Sequence, residues 1–161
     1  MQSIIIDHDL LSASPATGAE QWQPRPGSLE AIARLSRADL RVLVIATAAT
    51  GEPADIDRST RLHNRLAQAA ANAGGQIDAV FFCPHGPGQE CDCCPPAPGL
   101  VEDIAHRQQL RPVDLACLVS TEGQALEVAR AAGVRCLTLG QNGQFPDLDS
   151  AVQFLLEKPH S

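Results

Sequence analysis

Tyrosine is absent from this 161-residue chain, tryptophan and methionine occur once each, and aromatics make up only 3% of it. Its core must therefore be aliphatic, and a platform for stacking unpaired bases has almost no side chains to draw on. Basic runs are missing too. Twelve Lys and Arg stand against 19 Asp and Glu, for a formal net charge of −7. With no basic stripe, a nucleic-acid partner is not expected. No apolar stretch approaches the ~20 residues that span a bilayer, so a membrane segment is not expected either. The opening residues, MQSIIIDHD, show no charged leader and no cleavage site. No signal peptide is read there, and a cytoplasmic location is expected. The length suits one domain over 1–161, large enough to bury a core without covalent staples.

What is present is an alternation of apolar runs and helical patterns. Strands are expected at 3–6, 41–46, 77–82, 114–119 and 134–139, where short apolar runs end in turn residues. Helices are expected after Ser28, read as an N-cap, and over 57–73, 100–109, 124–132 and 148–157. Gly74-Gly75 and Gly133 punctuate two of them. Residues 8–27 read as loop. Strands apolar on both faces, alternating with helices, predict an α/β fold: a parallel sheet flanked by helices. In such sheets ligands bind at the carboxyl ends of the strands. The stretches to watch are therefore Asp7-His8-Asp9, the residues from Thr47 to Gly51, the segment after Phe82, and Ser120-Thr121-Glu122.

The segment after Phe82, CPHGPGQECDCCPPAPG, holds four cysteines, one histidine and five prolines. In a reducing compartment clustered cysteines are metal ligands more often than disulfides. Cys83 and His85, then Cys91 and Cys93, form two pairs with one residue inside each pair and five between them. That set closes a tetrahedral Cys3His zinc site, structural in kind because no position is left open. The expected zinc loop spans 83–94, with Cys94 a spare thiol. The alternative is free surface cysteines and a chance histidine. Cys117 and Cys136 fall in apolar strand runs and read as small buried hydrophobes.

At the end of the first strand, Asp7 and Asp9 flank His8. Such a pair supplies a carboxylate nucleophile and a general acid, or two oxygen donors for a hard cation; the plain alternative is an Asp-rich turn. Three stretches settle the preference: SIIIDHDLLSA, VLVIATAATG and FFCPHGPGQECDCCPPAPG. In order and spacing they resemble the haloacid dehalogenase (HAD) superfamily, and the cysteine loop resembles the zinc loop of one subgroup. That subgroup holds the heptose-bisphosphate and histidinol-phosphate phosphatases. The resemblance implies a Rossmann-like HAD core with no large cap domain. It places Asp7 at the nucleophile, Asp9 at the general acid/base and Thr47 at the phosphate-holding hydroxyl. Cys83, His85, Cys91 and Cys93 fall at the zinc ligands.

The chain departs from that pattern where positive charge is needed. The subgroup's Cys-Arg-Lys-Pro is Cys93-Cys94-Pro95-Pro96 here, so Pro95 stands at the phosphate-binding lysine. The Gly-Asp pair after the fourth strand is Ser120-Thr121, and the later acid is Ala125. Glu122, one position off, is the candidate substitute ligand for Mg2+. A carboxylate attacking a phosphate dianion needs neighbouring charge neutralised. Asp7 and Asp9 alone are expected to hold Mg2+ too weakly.

The expectation is accordingly a zinc-stabilised HAD-fold pseudophosphatase that binds an unidentified protein or small phosphorylated ligand. The alternative is a Mg2+-dependent phosphatase of a small phosphorylated metabolite, working through an aspartyl-phosphate. It requires Glu122 to ligate the metal and Arg25, Arg58 or Arg61 to replace the lysine, although each arginine reads first as solvated surface charge. A redox or metal-handling role for Cys91, Cys93 and Cys94 is a third class. His8 reads as a residue that points away from the pair to pack or meet solvent, with tuning of Asp7 or metal binding the alternative; His63 and His106 read as exposed.

Overall fold

Five short apolar runs become five parallel strands in the computed structural model, which describes residues 3–11, 24–46, 56–82, 98–121 and 125–157. The strands are β1 (Ser3–Asp7), β2 (Arg41–Ala46), β3 (Ala79–Phe82), β4 (Ala116–Ser120) and β5 (Arg135–Leu139). Around them run α1 (His8–Leu11), α2 (Ser28–Arg37), α3 (Ile56–Asn72), α4 (Gly99–Gln108), α5 (Ala125–Ala132) and α6 (Leu148–Glu157). The sheet order is β3-β2-β1-β4-β5, with every neighbouring pair parallel. The chain steps outward from β1 through β2 to β3, then returns to the far side of β1 for β4 and β5. Strand order thus reverses between β1 and β4, and open α/β sheets bind ligands at that kind of switch point.

Alternation along each strand builds two cores. Ile4, Ile6, Val42, Val44 and Leu118 face α2, α3 and α6, which contribute Ile32, Leu35, Leu66 and Val152. Ile5, Leu43, Ile45, Cys117 and Val119 face α4 and α5, which contribute Ile104 and Val128. Each large aliphatic side chain so buried contributes ~1.5–3 kcal/mol. With both faces covered, a strand gains by being apolar throughout, which is why these runs lack an alternating polar face. At the end of α3, a Cβ on Gly75 would lie 2.9 Å from the backbone nitrogen of Ala33. Only glycine lets that turn approach α2 so closely.

Several boundaries move from their expected places. Residues 8–11 are a turn of helix rather than loop. Gly27, at φ +82°, caps α2 in place of Ser28, whose hydroxyl donates to the Arg25 carbonyl at 2.7 Å. A short 3-10 turn over Pro112–Asp114 delays β4 to Ala116. β3 begins at Ala79 because Asp78 bonds sideways: its carboxylate accepts from Val42 N–H at 2.8 Å. Cys117 is fully buried, whereas Cys136 is only half-buried. No described helix is long and apolar enough to cross a membrane.

Candidate active site at the switch point

β1 is the central strand, and Asp7 is its last residue. The side chain is 1% exposed. Its Oδ1 accepts the Asp9 N–H and its Oδ2 the Ser120 N–H, each at 3.1 Å. The first bond arises because the chain curls into α1 immediately after the strand. The second crosses the gap between β1 and β4. Together they fix the carboxylate at the place where strand order reverses. Burial pushes the Asp7 carboxyl up to about 6, and the Asp9 charge adds to the rise; the two N–H donors and Arg25 pull it back. Burial also raises Asp9, against a lowering by Arg25. Burial, rather than a lack of neighbouring positive charge, is the main reason both carboxyls are raised.

His8, between them, is buried and packs. Its ring meets the His63 ring edge-on at 5.6 Å, and His63 in turn lies 5.4 Å from Phe82 at the end of β3. His63 is therefore half-buried on α3, not exposed as its helical position suggested. Burial, with His8 beside it, takes His63 down to about 4, and burial lowers His8 as well. Both imidazoles are neutral at pH 7 and supply no charge to the aspartates. His106 is exposed on α4.

Among the described residues, a cation beside the pair is Arg25. Its Nε donates to the Asp9 carbonyl at 2.6 Å, and its charge bears on both carboxylates. Sequence alone ranked it with Arg58 and Arg61 as a surface charge. The one local hint was its place in PRPGS, between two prolines that stiffen the backbone. Thr121, at the position of the subgroup aspartate, turns its hydroxyl to the Gln141 carbonyl at 3.0 Å. Ser120, at the glycine position, serves Asp7 through its backbone instead.

Thr47, Glu122, Cys83, His85, Cys91 and Cys93 lie outside the described residues, as does the side chain of Arg58. Among the described residues no group of three or more His, Cys, Asp or Glu side chains gathers to hold a metal. Asp7 and Asp9 remain a pair of hard oxygen donors. Mg2+ keeps several waters and binds through one or two carboxylates plus substrate phosphate, so the pair fits that ion.

No protein-family model matches the chain. A curated relative does: D-glycero-β-D-manno-heptose-1,7-bisphosphate 7-phosphatase of Bordetella bronchiseptica is 38% identical over 143 residues, covering 84% of this chain and 78% of its own length. The chain belongs to the heptose-bisphosphate 7-phosphatase family. The crystal structure of D,D-heptose 1,7-bisphosphate phosphatase from B. bronchiseptica, complexed with magnesium and phosphate, superposes with a TM-score of 0.84 at 28% identity. The match covers 99% of this chain and 100% of that one. A HAD-superfamily hydrolase from Geobacter sulfurreducens shares the fold at a TM-score of 0.61 and 12% identity, over 96% and 99% of the two chains. The Rossmann-like HAD core implied by the sequence is thus the fold of this heptose-bisphosphate phosphatase family member. A phosphatase homologue is what the comparisons support; they offer nothing for loss of activity.

Proposed function

We propose that the chain is a Mg2+-dependent phosphatase of a small phosphorylated sugar, of heptose-bisphosphate type, acting through an aspartyl-phosphate on Asp7. The observation that carries this reading is a buried carboxylate at the switch point, held by two backbone N–H groups, with a second acid two residues on. The pseudophosphatase expectation rested on missing positive charge. The guanidinium of Arg25, bonded beside the pair, weakens that premise.

At neutral pH, Asp7 is ionised for most molecules, since its carboxyl titrates at about 6. Its oxygen attacks phosphorus while the P–O bond to the sugar breaks. Asp9, whose carboxyl is raised, gives its proton to the departing sugar oxygen. A water molecule then attacks the phosphoaspartate; Asp9 takes one proton from it, the P–O bond to Asp7 breaks, and inorganic phosphate leaves. Mg2+, held by the Asp7 carboxylate, would offset the charge of the phosphoryl oxygens and leave the Asp9 carboxyl to carry its proton. The zinc set of Cys83, His85, Cys91 and Cys93 belongs to the same proposal and rests on its spacing in the sequence.

The test is phosphate release from D-glycero-β-D-manno-heptose 1,7-bisphosphate with and without Mg2+. Mg2+-dependent turnover that disappears in Asp7→Asn is the expected result. A wild-type protein with no turnover sensitive to that substitution would return the chain to a binding role.

A further inference from the structure

Two N–H groups hold the Asp7 carboxylate, and they come from different places. One belongs to Asp9, in the turn of helix that follows β1 directly. The other belongs to Ser120, the last residue of β4, 113 positions away. Whatever fixes the end of β4 therefore fixes one of the two donors on Asp7.

Thr121, the next residue, ties that end down. Ser120 stands opposite Leu139 in the β4–β5 pairing, and the Thr121 N–H donates to the Leu139 carbonyl at 3.1 Å. The Thr121 hydroxyl then donates to the Gln141 carbonyl at 3.0 Å. That carbonyl sits in a closed turn. The Gly143 N–H donates to the Gly140 carbonyl at 3.0 Å, the Gly140 N–H to the Phe145 carbonyl at 3.1 Å, and the Phe145 N–H to the Thr138 carbonyl at 3.0 Å. The Gln144 N–H donates to the Thr138 hydroxyl at 3.0 Å, and the Gln144 side chain accepts the Thr138 N–H at 3.3 Å. Gly140 has φ +111°, and a Cβ there would stand 3.2 Å from the Thr121 hydroxyl oxygen. Glycine thus permits the turn and leaves room for the hydroxyl. A β-branched threonine has few χ1 settings, so little freedom is lost in holding the bond. Where the subgroup carries an acid, this chain carries a strap between two strand ends.

We propose that Thr121 is a positioning residue for Asp7: its hydroxyl, held on the Gln141 carbonyl, keeps the end of β4 where the Ser120 N–H meets Asp7 Oδ2. It touches neither substrate nor reacting atoms. With both N–H donors in place the carboxylate plane has one setting; with one loosened, the side chain turns about its own bonds. An oxygen that attacks phosphorus in line depends on that setting. The effect on turnover rests on the phosphatase reading; the hold on the Ser120 N–H does not.

Thr121→Val keeps the shape and removes the hydroxyl, and Thr121→Ser restores it. Both are compared with wild type by amide hydrogen exchange in Mg2+-free buffer, and by kcat and KM on the heptose bisphosphate with Mg2+. In Thr121→Val the Ser120 amide is expected to exchange about tenfold faster, on the scale of one net hydrogen bond. The Leu118 amide, in the middle of β4, is expected to keep its rate. A fall in kcat of about tenfold at unchanged KM is expected, because the loss lies in the setting of the nucleophile and not in substrate binding. Thr121→Ser is expected to recover most of both losses. A wild-type Ser120 exchange rate in Thr121→Val, or serine no better than valine, would overturn the assignment. Leu118 exchanging faster in step with Ser120 would do the same, since it marks a general loosening of β4. Faster Ser120 exchange in a protein without Asp7-dependent turnover upholds the strap and sinks the phosphatase. Asp7-dependent turnover with kcat indifferent to Thr121→Val does the reverse.

Discussion

Replacing Asp7 with asparagine removes a charge from a place where burial penalises it, so stability and activity should move apart. In the unfolded chain the Asp7 carboxyl titrates near 3.8; in the fold it titrates at about 6. The native state thus holds the Asp7 proton more tightly than the unfolded state does. Stability therefore rises as pH falls through 6, and the gain is complete below 3.8. Above 6 the ionised carboxylate costs the fold ~3 kcal/mol, because each tenfold difference in proton affinity between the two states is worth about 1.4 kcal/mol. Asparagine escapes that cost. It also turns one acceptor into an NH2 group facing the N–H of Asp9 or Ser120, and an unmade buried bond costs ~1–3 kcal/mol. The two terms offset at neutral pH, so a single midpoint decides nothing. The difference between pH values does decide. In Mg2+-free buffer, wild type should gain ~1.4 kcal/mol on Asp7→Asn between about pH 7.5 and about pH 5. Urea unfolding of both proteins at both pH values measures it; titrating groups not coupled to Asp7 cancel in the comparison, and Asp9, whose charge raises Asp7, is the neighbour that shifts with it. An equal stability gap at the two pH values would refute the idea that burial holds Asp7 high. Turnover in the variant should be lost at either pH.

Two further outcomes are expected. Purified protein should carry one zinc per chain by elemental analysis, and a chelator strong enough to strip it should expose the thiols of Cys83, Cys91 and Cys93 to titration; metal-free protein with those thiols already reactive would exclude the site. Ile6→Ala, at a position with no solvent exposure in the central strand, should cost ~2–5 kcal/mol in denaturant unfolding, and a loss below about 1 kcal/mol would mean the core around β1 collapses to fill the gap.

Much of the fold could be read in one dimension. The runs RVLVIA and LDSAVQFLLE carry their own ends, and β2 and α6 begin and stop where hydrophobic pattern places them. Apolar strands alternating with helices leave little choice but a parallel sheet covered on both sides. The DxD after the first strand was legible as a candidate because the reading needs only residue type and position. The parts of the site that the sequence left undecided or missed all involve pairs distant along the chain. Arg25 bonds to Asp9, His63 packs on His8, and the Ser120 N–H reaches Asp7 across 113 positions. Periodicity says which face of an element is apolar; it holds no record of which charges the faces bring together. That follows from strand order, which sets β4 beside β1 and closes the switch point over Asp7. Charge state was equally hidden, since a carboxyl rises to about 6 through the packing that surrounds it and not through the letters beside it.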